Sequence, residues 1–294
     1  MIAGLDNKGK VMAWSQRLAS GSKYYRRPDM PDEDLWKPEL YVDDFPRAMV
    51  ENFRLEYFHN FIGLPRGSWR GPAHVVNAFT IQSFLDEIAH ERNQDPLALR
   101  LELLGRVEQQ PYGNHGGPTM TPGRLSRLLK FVAERIDYGT KRPRGRGVGI
   151  ATHFTFGGYA AHAIEVTVSD DGELSIERII AAIDCGFAVN PNAVQAQLEG
   201  GTIDGLSTAL ELEITVRDGR VVQKNFNNYP LMKIDRVPAL FETHVMNYDD
   251  TPTGVGEIGV PPAAPALTNA IFNATGVRIR RLPIADQLRE EMKA

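Results

Sequence analysis

Cysteine is nearly absent from this 294-residue chain, with Cys185 standing alone. That excludes an internal disulfide framework and any cysteine-ligated metal or iron–sulfur site within the chain. Close histidine spacing is missing too. The histidines at 59, 74, 90, 115, 153, 162 and 244 contain no H-x-x-x-H or similar pair, so local spacing offers no protein-ligated metal. No apolar run approaches the ~20 residues needed to span a membrane. The N-terminus lacks the charged start and apolar stretch of a signal peptide, so the chain as it stands reads as cytoplasmic, or periplasmic if an exported partner carries it. A net charge of −4 leaves no basic field for binding nucleic acid.

What is present is an ordinary globular composition, 42% apolar and 24% charged, in a chain long enough for one large domain or two. The run Lys141, Arg142, Arg144, Arg146, interrupted by Pro143 and Gly145, reads as a solvated linker. It divides the sequence into 1–140 and 141–294. The first part opens with a hairpin around Asp6-Asn7-Lys8-Gly9. Residues 20–50, polar and Pro-rich, read as an excursion over the surface and as a possible interface with a missing part. A strand follows over Asn52–Phe58. Ala78, Ile81, Leu85 and Ile88 then define a helix from Val75, Asp95-Pro96 begins a second, and Leu125, Leu128, Leu129, Val132 and Ile136 line a third after Pro122. The second part is strand-rich: Gly147–Phe156, Tyr159–Ser169 and Leu174–Ile183 precede a helix over Asn192–Ala209. A hairpin (Leu210–Val216, Arg220–Phe226), a strand at Leu240–Met246 and a last helix ending at Gly276 complete an α+β chain. It begins directly in strand-like sequence, which suggests a fragment or a split subunit.

The chemistry points to Thr253–Asn269, T-G-V-G-E-I-G-V-P-P-A-A-P-A-L-T-N. Three glycines around Glu257 let the backbone approach a ligand closely, and the prolines suit a helix entry. Glu257 could serve there as a general base; a solvated surface loop is the plainer alternative. Gly200, Gly201 and Gly205 each cost their helix roughly 1 kcal/mol, so a neighbouring element or a ligand must approach that face. Arg70, in the Gly-flanked loop Gly67–His74, reads when taken alone as a surface ion-pair residue. Trp69 reads as a core residue or a substrate wall, His74 as a cap or packing residue, and Cys185 as buried rather than nucleophilic. Asp184 and Asn190 suit Asx-type bonds within their loop. A carboxylate pair of Glu257 with Asp184 or Glu199 in a hydrolase is a further alternative.

Four ordered blocks carry a resemblance. D-C-G-F-A-V-N-P with Q-x-Q-L-E-G-G and G-L-S-x-A-L (Asp184–Leu210), and G-V-G-E-I-G-V-P-P-A-A-P-A-L-T-N-A-I with A-T-G-V-R-I-R-R-L-P-I (Gly254–Ile284), resemble the molybdenum hydroxylases of the xanthine dehydrogenase and aldehyde oxidase superfamily. R-G-P-A-H, N-A-F-x-I-Q-S-F-L-D-E-I-A and D-P-L-A-L-R-L-E-L-L (Arg70–Leu104) are similar to the C-terminal portion of isoquinoline 1-oxidoreductase β subunits. The resemblance implies a molybdenum-cofactor-binding fold of mixed sheets with packed helices. It also implies molybdopterin, in its cytosine dinucleotide form, and no metal ligated by the protein.

The implied activity is water-derived oxidative hydroxylation of an N-heteroaromatic or an aldehyde, with Glu257 as general base at a molybdenum-bound hydroxyl. Arg70 and Gly71 would lie at the pterin, Gly200 and Gly201 on the helix facing it, and Ala263 and Ala264 near the dinucleotide tail. Trp69 and Pro72 would face the substrate. Two departures stand out. Asp204 replaces a glutamine near the cofactor, and Pro72 replaces an aromatic of the purine enzymes. The implied partners are a chain carrying the N-terminal half of the molybdenum subunit and a small [2Fe–2S] subunit. A cofactor-free remnant or scaffold is the alternative.

Overall fold

The computed structural model describes residues 1–25, 27, 29–61, 63–64, 66–113, 119–246 and 248–293. β1 (Ile2–Leu5) and β2 (Val11–Ser20) form the expected hairpin, whose turn is tied by Asp6 accepting from the Lys8 and Lys10 N–H groups. β3 (Asn52–His59) joins β2 in parallel. A parallel neighbour requires a long connection, and residues 20–50 supply it. Contrary to the sequence expectation, this connection is not merely laid over the surface. Leu35, Leu40, Tyr41, Phe45, Met49 and Val50 are all buried.

Three helices follow: α1 (His74–Glu91), α2 (Pro96–Leu104) and α3 (Pro122–Arg135). Asp95 caps α2 through the Ala98 N–H at 2.8 Å. Before α3, β4 (Gln110–Pro111) pairs with β5 (Thr119–Met120), and residues 114–118 of the loop between them lie outside the described residues. The supposed linker is only partly solvated: Lys141 and Arg144 are exposed, but Arg142 and Arg146 are not. Arg142 caps the end of α3 by donating to the Ile136, Asp137 and Thr140 carbonyls, and both Arg142 and Arg146 pair with Glu165.

β6 (Arg146–Thr155), β7 (Gly158–Val168) and β8 (Leu174–Asp184) form an antiparallel meander. α4 (Pro191–Leu210) then returns the chain so that β11 (Leu240–Met246) lies parallel to β8. Both faces of this sheet are covered, and side chains alternate between them as a two-residue period requires. Ile150, Ala163 and Ile180 face the core built with α1–α3, whereas Ala151, Ile164 and Ile179 face α4 and α5 (Ala263–Thr275). The first core therefore runs across the 140/141 boundary. The hairpin expected at 210–226 shrinks to β9 (Val216–Arg217) and β10 (Arg220–Val221). A short α6 (Gln287–Glu291) follows α5 and was not expected.

Candidate active site

Glu257 lies in the loop between β11 and α5. Its neighbour Ile258 is buried in a cluster with Ile183, Cys185, Val194 and Leu198, which anchors the loop from below. The loop is also held by the Asp184–Asn190 segment. The Thr253 N–H donates to the Cys185 carbonyl, and the Phe187 N–H donates to that of Asp250. Arg124 locks both pieces together, with a two-pronged pair to Asp184 and a 2.8 Å bond to Asp250. Asp184, 1% exposed, also accepts the Gly186 N–H, and Asn190 caps α4. Both play the loop-fixing part expected of them. Burial raises the Cys185 thiol pKa, as suits an inert residue.

The half-buried Glu257 carboxylate is aimed by the backbone. Its Oε1 accepts the Gly71 N–H at 3.1 Å. Gly71 stands at φ +69°, a conformation glycine adopts without strain, and it brings residues 70–73 against the Glu257 loop. Arg70 braces the same contact. Its Nε donates to the Gly256 carbonyl at 2.6 Å, Nη1 pairs with Asp204 at 3.2 Å, and Nη2 donates to both Gln197 oxygens. Asp204, which departs from the family pattern, is thus the counter-ion of Arg70.

The remaining candidates divide sharply. Gly201 faces Gly259 and Val260, and a Cβ on Gly205 would collide with Ala263 and the Val260 carbonyl. The glycine face of α4 is filled by the Glu257 loop and the start of α5. Gly200, beside Arg70, stays exposed. Ala263 and Ala264 are 0% and 1% exposed, so their methyl groups belong to the core. Trp69 is not a core residue; 59% exposed, it stands on the strandless approach to α1. Pro72 is half-buried and its carbonyl accepts from Tyr41.

Two residues escaped the sequence reading. Lys23, from the 20–50 connection, lies within electrostatic range of Glu257 and Glu39; burial lowers its pKa while those carboxylates oppose the shift. Gln197, within the quoted Q-x-Q motif, has its side-chain oxygen fixed by Arg70, leaving an amide donor on an exposed residue. The hydrolase alternative finds no support: Asp184 is engaged by Arg124, and Glu199 by Gln195 and Thr243.

Beside the fixed carboxylate, the backbone of the Glu257 loop is open to an approaching ligand. Gly254 and Gly256 are exposed, and a Cβ at Gly256 would meet only the Gln197 oxygen, at 4.0 Å. These residues fit a pterin approaching the loop from outside, with Arg70 as a brace.

Comparison with known proteins bears on the fold and the family. Residues 130–238 match the family of the molybdopterin cofactor-binding domain. The chain is 31% identical over 303 residues to the β subunit of isoquinoline 1-oxidoreductase from Brevundimonas diminuta, covering 97% of this chain and 35% of that protein. It is 32% identical over 240 residues to a nicotinate dehydrogenase subunit from Pseudomonas putida, covering 75% of this chain and 19% of that one. The chain therefore spans about a third or less of these relatives. Quinoline 2-oxidoreductase from Pseudomonas putida 86 shares the fold, with a TM-score of 0.74 at 12% identity, over 99% of this chain and 61% of that one. The fold is that of a molybdenum-cofactor-binding domain. The chain belongs to the molybdenum hydroxylase superfamily.

Proposed function

We propose that this chain is the Glu257-bearing portion of a molybdopterin-dependent hydroxylase acting on an N-heteroaromatic compound or an aldehyde. The observation that carries the reading is the aiming of Glu257, by the Gly71 N–H on one oxygen and by Arg70 on the adjoining Gly256 carbonyl. When bound, the molybdenum cofactor supplies the two-electron oxidation and activates water as the oxygen source. Glu257 does the proton chemistry. With Oε1 occupied by Gly71, Oε2 is the oxygen that takes the proton. The nearby Lys23 sets a positive charge against this carboxylate from the side of the 20–50 connection. Gln197 and the exposed backbone at Gly254 and Gly256 are the donors that would hold cofactor atoms, and exposed Trp69 and half-buried Pro72 would border the substrate. The rest of the molybdenum subunit and a [2Fe–2S] partner that removes electrons complete the enzyme in this reading, with the cofactor in its cytosine dinucleotide form.

Glu257→Gln in the assembled enzyme tests it. Molybdenum content should stay unchanged while turnover falls by about 10²–10⁴, the usual contribution of a positioned base. Unchanged turnover would remove Glu257 from the reaction. Failure of the wild-type complex to retain molybdenum would favour the scaffold alternative.

A further inference from the structure

Behind the Arg70–Ala73 loop lies a cluster that the proposed reaction does not use. Asp44, His74 and His153 are all buried, and one ligand-capable atom from each lies within 4.8 Å of the others. They come from the connection before β3, the first turn of α1 and β6, so the fold alone brings them together. His74 Nδ1 and His153 Nε2 face each other at 3.0 Å. Two nitrogens bound to one metal at ~2.0–2.1 Å in tetrahedral geometry are about 3.3 Å apart, so little movement is needed.

Hydrogen bonds from outside the cluster orient its members. His74 Nε2 is 2.7 Å from the Thr155 hydroxyl, which leaves Nδ1 as the lone-pair nitrogen when Nε2 donates. The Tyr112 hydroxyl donates to Asp44 Oδ1 at 2.7 Å and so orients that carboxylate. A cavity of about 10 Å³ borders Asp44 and His153, though not His74, and has room for one water beside Gln82, Thr152 and Tyr112, with Phe45, Ile81 and Phe154 on its apolar side. No Lys or Arg side chain pairs with Asp44 among the described residues, although burial of a carboxylate without a counter-ion is costly. A divalent cation held by these three groups would supply the missing charge.

We infer that Asp44, His74 and His153 form a structural site for a divalent transition metal of the zinc class, separate from the molybdenum site. Its consequence reaches the Glu257 loop. Tyr41 stacks on the His74 ring at 4.2 Å and donates to the Pro72 carbonyl at 3.1 Å. A metal there would clamp the 20–50 connection to α1 and β6 and set the position of residues 70–73.

The test uses the full chain, unfolded with chelator and refolded with Co²⁺ or with Zn²⁺. The site should take up one Co²⁺ per chain with the visible bands of a four-coordinate nitrogen–oxygen complex, and Zn²⁺ should displace it. Asp44→Asn and His153→Asn should each lose this stoichiometric uptake, while the exposed His90→Asn keeps it. A folded wild-type chain that takes up no stoichiometric Co²⁺ would overturn the inference and leave a metal-free hydrogen-bonded cluster. Undiminished uptake in both variants would do the same. If the variants do not fold, the stoichiometry and bands of the wild-type chain decide.

Discussion

Arg70 is occupied by four oxygens of its own chain, which makes it a brace for the Glu257 loop rather than a free cation waiting for an anion. Its neighbour Gly71 makes the more direct contact with the carboxylate. Gly71→Ala would force a side chain into the left-handed region, at about 1–2 kcal/mol, and place its Cβ 3.3 Å from the Val75 side chain. The expected result is a melting temperature lower by a few degrees and turnover reduced at least tenfold in the assembled enzyme, compared by kinetics beside Val75→Ala. Normal turnover in Gly71→Ala would mean that the N–H contact does not position Glu257. At this scale the glycine-rich surroundings marked Glu257, and the family resemblance marked Arg70 and Gly71. The sequence could not mark Lys23 as a neighbour of Glu257, or Asp204 as the partner of Arg70, because a through-space pairing over more than a hundred residues leaves no local pattern.

Packing at the level of elements explains why the last long helix is rich in alanine. α5 lies so close to β6 that a Cβ on Gly149 would collide with the Ala266 carbonyl and the Ala270 nitrogen, and one on Gly147 would meet Ala270 and Ala274. Gly149→Val should therefore destabilise the chain by about 3 kcal/mol or more, read as a lower urea midpoint with an unchanged slope. An unaltered midpoint would show that α5 can lift from the sheet freely. Helices and long strands were legible from periodicity, since two-sided burial and amphipathic faces repeat along the chain. The 210–226 hairpin was not. Its alternating residues, Ile214, Val216, Val221 and Val222 among them, stay exposed, and an isolated two-stranded ribbon pairs only briefly.

For the whole molecule, the cost of protonating a histidine that is buried neutral lowers stability in acid. His162 in β7 is completely buried, bonded to Thr202 of α4, and burial alone pushes its pKa down to about 3. An unfolded chain binds this proton near pH 6.5, so the stabilisation is full above 6.5 and is lost as pH falls toward 3. The slope is about 1.4 kcal/mol per pH unit for one proton. His162→Asn should lower stability at pH 7 yet flatten the decline between pH 6 and 4, measured by urea unfolding at each pH. A decline as steep as in the wild-type chain would assign the acid sensitivity elsewhere.

The sequence by itself determined the α+β alternation, the main helices and strands, the family and the loop that carries Glu257. Those depend on local periodicity, glycine and proline placement and ordered motifs. Only the tertiary structure decided that residues 20–50 enter the core, that the glycines of α4 are filled by the Glu257 loop, and that Asp44, His74 and His153 meet. Each of these depends on which distant surfaces close over one another, and the side chains involved answer to neighbours that are absent from their own stretch of sequence.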